Sequence, residues 1–554
     1  MRSFASEPEK AKLGLWAKAV RVLRPSHEHT AFSATLLLMA SIMLARVIGY
    51  LREMYVAWAF GAGPQTDAYV AAFQIPDYLF YLLAGGTTSI TFISIYTRHT
   101  ARGEEERAQR AFDTTVTIMT VVTLIGTMLL EVFTPQIARL IFPKFDPQQM
   151  ELCIYLTRVL LPGQIFFYAG GVISAVLLSR RMFLYPALSP LLYGSSIILG
   201  GLLGAHRLGI AALAYGALAG SFLGPFLINS IGAAKTGLTY RWSLDFHNPE
   251  FREWVKLSIP LMLGVSLVSA DDWILRYFAS GGAGEISRLN YAKRLFALPI
   301  SILGQAAGQA SMPFFAKLFG EAKRTAFAES VNRSVYRVGS AALLATALMI
   351  PAALPAVDLA FRRGHFNFQD AISTATYFGW FSLSLALWSA QGLYARAFYA
   401  SGDTLTPMVG STLVVLASLP VYASMFRWHG YTGLAMASDI GILLHTVVIA
   451  WLLHRRGLVP LSGIPWSEVA KALATAIAAA MFCIAVARQL GVQGGWRADL
   501  LSLAVIAAAW VFAVVVGLWL TRSHLWKDLQ RGAQAPPMAE PRPVVERTEG
   551  RVQP

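Results

Sequence analysis

Charge is scarce in this chain. Only 14% of its 554 residues are Asp, Glu, Lys or Arg, against roughly a quarter in soluble domains. With 55% hydrophobic residues, that scarcity excludes an ordinary soluble domain and reads as a polytopic membrane protein. Cysteine is almost absent: Cys153 and Cys483 lie in or beside apolar segments far apart, with no CxxC and no disulfide framework. The ten histidines form no HExxH and no Cys/His ligand set. "GAAKTG" lacks the first glycine of a phosphate-binding loop, so no ATPase, zinc or thiol chemistry is visible. Acid is scarcer than base, 31 residues to 46, giving a net charge of +15. In a soluble protein that balance would suggest nucleic acid. Here much of the excess sits in short loops, where it reports topology and contact with anionic membrane lipid, and no nucleic-acid partner is expected.

What the chain has in abundance is apolar stretches of bilayer length. They fall near 31–52, 68–95, 113–133, 153–179, 186–204, 208–231, 257–279, 291–316, 335–356, 375–400, 407–426, 431–453, 468–488 and 498–521, about fourteen spans in all. Basic loops after spans two, four, six, eight and twelve put both termini in the cytoplasm. The loop after span seven, with Arg288, Lys293 and Arg294, breaks that trend.

Residues 1–30 form a basic tail, in which "KLGLWAKAVRVL" reads equally as an interfacial helix or as a disordered stretch. No cleavable signal is apparent. The end of the chain, 522–554, rich in proline and charge, is expected to be disordered.

The chain echoes itself. "GAGPQTDAYVAAFQIPDYLFYLLAGGTTSITFISIY" starts at Gly61 and "GAGEISRLNYAKRLFALPISILGQAAGQASMPFFAK" at Gly282. Each has a GAG turn, a proline within the span (Pro76, Pro299), a Gly/Ser-rich turn and a basic loop. The expected architecture is all-α: two pseudo-symmetric six-helix lobes, 31–232 and 253–454, and a C-terminal helix pair, 466–521. Glycine and proline are common in membrane helices, so a chance likeness is the alternative.

Against this background the intramembrane charges stand out. An arginine at the bilayer centre costs about 2.5–3.5 kcal/mol, so Arg46, Arg52 and Arg294 are expected to face protein or water. Guanidinium groups suit phosphate, which makes Arg46, Arg52, Arg294 and Lys293 candidates for an anionic cargo. The plain alternative is structural pairing, Arg46 with Asp67 or Arg52 with Glu53. Asp271, Asp272 and Arg276 form a second group, either an i,i+4 ion pair (Asp272 with Arg276) or carboxylates for a coupling Na⁺ or H⁺. Asp67 and Glu53 complete the candidate cavity acids. A membrane enzyme would need a general base, and His365 and Asp370 in "FRRGHFNFQD" are the best candidates for one.

"ARVIGYLREMYVAWAFGAGPQTDAYVAAFQIP", "YAKRLFALPISILGQA", "FRRGHFNFQDA" and "RAFYASGDTLTP" occur in the order and at the separations of the MurJ (MviN) family, and the chain resembles it over roughly residues 35–520. These are lipid II flippases of the multidrug/oligosaccharidyl-lipid/polysaccharide exporter superfamily. The resemblance implies a fourteen-helix, two-lobed fold around a cationic cavity and no catalysis. It also implies a role in peptidoglycan and cell-wall biogenesis: export of an undecaprenyl-pyrophosphate-linked precursor from the inner to the outer leaflet of the bacterial cytoplasmic membrane by alternating access.

The family's cavity arginines match Arg46, Arg52 and Arg294, its acid after the first GAG turn matches Asp67, and spans thirteen and fourteen resemble its groove for the lipid tail. Cell-wall synthesis proteins would be partners, and no cofactor is implied beyond a coupling ion or the membrane potential. The pattern is broken at Phe80 and Tyr81, where basic residues are common, at Gly85, where the family has an acid, and at Lys293. Carriage of another polyprenyl-linked glycan and cation-coupled drug export are the alternatives within the superfamily.

Overall fold

The computed structural model describes residues 31–83, 87–262, 267–491 and 495–525. Both expected tails fall outside them or nearly so, as does Gly85. Every element among the described residues is helical. The first half of the chain contains α1 (Ala31–Phe60), α2 (Pro64–Ala72), α3 (Gln74–Leu83), α4 (Thr87–Ala101), α5 (Glu105–Ile141), α6 (Pro147–Leu160), α7 (Gly163–Ser179), α8 (Leu184–Leu208), α9 (Ala211–Ser221) and α10 (Asn229–Lys235). The second half contains α11 (Pro249–Met262), α12 (Leu267–Ala279), α13 (Glu285–Pro299), α14 (Ala307–Gly320), α15 (Arg324–Met349), α16 (Ala353–Phe361), α17 (Phe368–Leu383), α18 (Leu385–Ala400) and α19 (Leu405–Arg455). The pair α20 (Trp466–Leu490) and α21 (Trp496–Leu520) follows. Wide π-helical turns at Phe222–Ile228 and Ile300–Ala306 join α9 to α10 and α13 to α14.

Among the described residues, seven helical stretches are each long and apolar enough to cross a bilayer, and α15 with α16, bent by 72°, makes an eighth. α19 is two helices joined at Gly430, whose φ of +60° breaks the helical path.

Contacts divide these helices into two groups. α1 lies on α8, and α8 packs closely along α9. That approach is set by small residues: a Cβ on Gly216 would stand 2.6 Å from the Ser196 carbonyl oxygen. In the second group α15, α18 and α19 pack in series and α12 lies on α19. The C-terminal pair sits on the outside of this group, against α15 and α16.

One expected span touches both groups. Within the stretch 257–279, expected as a single crossing, α11 packs on α4 and α5 while α12 packs on α19.

At one end of the molecule the lobes share a core: Phe142, Ala68 and Val56 from the first half meet Tyr291, Phe361 and Phe366 from the second. The GAG turns lie here, beside the loop that carries His365. At the opposite end, near the helix ends that lead to the termini, the lobes bury separate clusters. Tyr96, Phe112 and Trp254 belong to one, and Phe315, Phe327 and Phe398 to the other.

Candidate functional site

The joined end is fastened by the two GAG turns. Gly284, with φ of +82°, lets the second turn approach the first so closely that a Cβ would stand 2.8 Å from the Ala62 carbonyl oxygen. A helix start leaves backbone N–H groups without partners, and α13 has no capping side chain of its own. Asp67 supplies the cap from the other lobe. Its carboxylate accepts from the Gly284 N–H at 2.6 Å, the Ser287 N–H at 2.7 Å and the Ser287 hydroxyl at 2.5 Å. Asp67 is wholly buried. A carboxylate also favours the positive end of the helix dipole.

At the position of Asp67 in the second repeat stands Arg288, which pairs with Glu285 at 2.6 Å and with Asp370 at 2.8 Å. The His365 backbone N–H donates to the Trp58 carbonyl at 3.0 Å, and the Tyr291 hydroxyl to that of Gly61 at 3.2 Å. Asp370 is further engaged in a capping box with Asn367. Neither His365 nor Asp370 lines the cavity described next.

Below this seal, toward the terminal end, lies a cavity of about 380 Å³ walled mainly by α12, α13 and α18. Arg294 and Arg276 enter it from α13 and α12, and Arg396 from α18. Arg46 reaches it from the first lobe, donating to Gln305 of the cavity wall at 3.2 Å.

The expected site residues separate into two groups. Arg46 is exposed and has no acid partner among the described residues. Arg294 is half-exposed, its nearest carboxylate oxygen being that of Glu53 at 3.6 Å. Arg52, by contrast, is tied to Glu53 at 2.7 Å, the structural pairing that the sequence allowed. Glu53 also accepts from Asn290 at 3.4 Å and is buried.

Lys293 is committed as well. Its ammonium sits between Asp271 and Asp272, 2.5 Å from the latter. Asp271 further accepts from Ser438 at 3.0 Å and from the Tyr422 hydroxyl. The expected Asp272–Arg276 pair is replaced by Asp272–Lys293, which leaves Arg276 Nη1 buried without a partner among the described residues. Phe80 and Tyr81, the departures in span two, stack edge to face, and Tyr81 leans on Trp273.

Sequence reasoning gave no site role to Arg396. Among the described residues its guanidinium meets only backbone carbonyls, Gly392 at 2.8 Å and Gln305 at 3.5 Å. It opens the "RAFYASGDTLTP" segment, so the signal was a motif residue inside an apolar span.

Solved structures share this all-helical architecture. A lipid II flippase MurJ in an inward closed conformation aligns with a TM-score of 0.73 at 19% identity, covering 90% of this chain and all of that one. An inward-facing multidrug resistance transporter of the MATE family and MOP superfamily aligns at 0.61 and 16% identity, covering 76% of this chain and 98% of that one.

The family model "Lipid II flippase MurJ" matches residues 56–527, and the chain belongs to that family. The lipid II flippase MurJ of Burkholderia cenocepacia is 26% identical over 77% of this chain and 84% of its own. The probable lipid II flippase MurJ of Rickettsia prowazekii is 25% identical over 76% and 82%.

Proposed function

We propose that this protein carries an undecaprenyl-pyrophosphate-linked peptidoglycan precursor from the inner to the outer leaflet of the cytoplasmic membrane by alternating access. The chain crosses the membrane about fourteen times, with both termini cytoplasmic. The observation that carries this reading is the group of cations without acid partners among the described residues around one cavity: Arg46 from the first lobe and Arg276 and Arg396 from the second, with Arg294 only loosely held by Glu53.

A diphosphate offers these groups charge-assisted, bidentate acceptors that water in the empty cavity matches poorly. Arg52 and Lys293 serve at one remove. Arg52 fixes Glu53, which steadies Arg294, and Lys293 neutralises Asp271 and Asp272 so that the cavity stays attractive to an anion. A coupling Na⁺ or H⁺ at those two acids must compete with the Lys293 ammonium, so ion entry and release of Lys293 are one event.

Asp67 holds the lobes together on the periplasmic face while cargo enters from the cytoplasmic side. With the cytoplasm negative, outward movement of two negative charges is favoured by about 4.6 kcal/mol per 100 mV if the protein's own charges stay in place. No ATP site is needed.

The test is complementation of a strain depleted of its own flippase. Arg46→Glu or Arg294→Glu, at normal membrane abundance, should fail to support growth. Growth at the wild-type rate with either variant contradicts the assignment.

A further inference from the structure

A second hollow, of about 360 Å³, lies between α16, the C-terminal end of α20 and the N-terminal half of α21. Its walls are largely apolar, with Ile350, Leu354 and Ile506 prominent, yet Asp358, Asp499 and Arg488 also line it. Asp358 is 3% exposed. One of its carboxylate oxygens pairs with Arg362 at 2.8 Å, and the other, Oδ1, is buried with no partner among the described residues. Asp499 is also buried, and no described basic residue lies within ion-pair distance of it. Arg488 is exposed and likewise forms no ion pair among the described residues.

A bare carboxylate oxygen in apolar surroundings is costly, so a donor from outside the chain is called for. The hollow is an order of magnitude larger than one water, whose share of liquid is about 30 Å³. An ion alone would leave most of it empty. The apolar walls suit the carbon backbone of a lipid, and α20 and α21, long and apolar enough to cross a bilayer and largely exposed, would give lipid direct access.

We propose that this hollow is a phospholipid head-group site that takes a primary-amine phosphodiester of the phosphatidylethanolamine type, its ammonium between Asp358 and Asp499 and its phosphate on Arg488. The primary ammonium brings three N–H donors, matching an acid pair with a free oxygen. A quaternary ammonium brings none, and a glycerol head group lacks the cation. The site is separate from the cargo cavity and does not depend on what the protein carries.

The test is native mass spectrometry of the full-length protein from micelles containing equal amounts of phosphatidylethanolamine, phosphatidylglycerol and phosphatidylcholine. Wild type should retain one phosphatidylethanolamine in preference to the other two. Asp499→Asn, which breaks no ion pair and so spares folding, should lower that retention about ten-fold, the loss expected of one charge-assisted hydrogen bond. Arg488→Gln should lower it too. Equal retention of the three lipids, or retention unchanged by Asp499→Asn, overturns the proposal. So does a thermal shift with Mg²⁺ that Asp499→Asn abolishes while no lipid is preferred, since the acids would then hold a metal cation only.

Discussion

Arg46 and Lys293 are both basic residues in apolar spans, and their surroundings give them opposite roles. Among the described residues Arg46 meets an amide oxygen and no carboxylate, whereas Lys293 has two carboxylates, so under the proposed function the first is the one left to meet an anion. The sequence made the presence of these charges legible because charge in a bilayer-length apolar run is costly wherever it occurs. It did not make their partners legible. An i,i+4 rule offered Asp272 to Arg276, but Lys293 from the next helix engages both acids at once and wins.

Asp67 gives the clearest prediction at this scale. Asp67→Ala strands two buried N–H groups, and at about 1–3 kcal/mol each the closed arrangement should be weakened by several kcal/mol. Spin labels at Gln65 and Gln369, both exposed on this face, should then report a longer, broader distance by electron–electron double resonance. An unchanged distance distribution would count against the clamp.

A second prediction concerns Asp403, in the loop between α18 and α19. Burial works to raise its carboxyl, but the Thr406 backbone and side chain and the Arg456 guanidinium outweigh that and hold it below the usual range. The stabilisation is therefore present above the ordinary carboxylate pKa of about 4 and lost as pH falls through the lower folded value. The difference in thermal midpoint between wild type and Asp403→Asn should be constant from pH 7 to 5 and shrink below that. A difference that grows on acidification would contradict the assignment.

Among the elements, α8 and α9 show what glycine contributes to a membrane interface. With no apolar driving force between helices in lipid, closeness of approach sets the strength of packing. Gly216→Ala places a methyl group against the Ser196 carbonyl, and the two helices must separate. The expected cost is about 1–3 kcal/mol, read as a lower thermal midpoint with Arg46 and Arg294 untouched. A melt like that of wild type would show that the interface can relax.

The apolar stretches that the sequence offered correspond well to helices such as α8, α20 and α21, because hydropathy of bilayer length is a local property. Hydropathy says nothing about which neighbour a helix chooses. The sequence of 257–279 accordingly gave no sign that α11 packs on α4 and α5 while α12 packs on α19.

At the scale of the whole molecule, the repeated GAG turns are where sequence and architecture meet. Their likeness suggested two related halves, and in the structure the turns touch: Asp67 of one caps the helix that follows the other. The two groups of helices share a core at that end and keep separate ones at the other, the arrangement that the proposed alternating access calls for on its closed side. That closure is not written in either repeat alone, since it depends on both turns arriving together.

The central claim is that arginines from both lobes hold a lipid-linked diphosphate within the cavity. Native mass spectrometry of the purified protein with added lipid II tests it most directly. One bound lipid II should survive on the wild type and be lost, by ten-fold or more, from Arg46→Ala/Arg294→Ala, the removal of two charge-assisted contacts. Equal retention by the double variant would contradict the account.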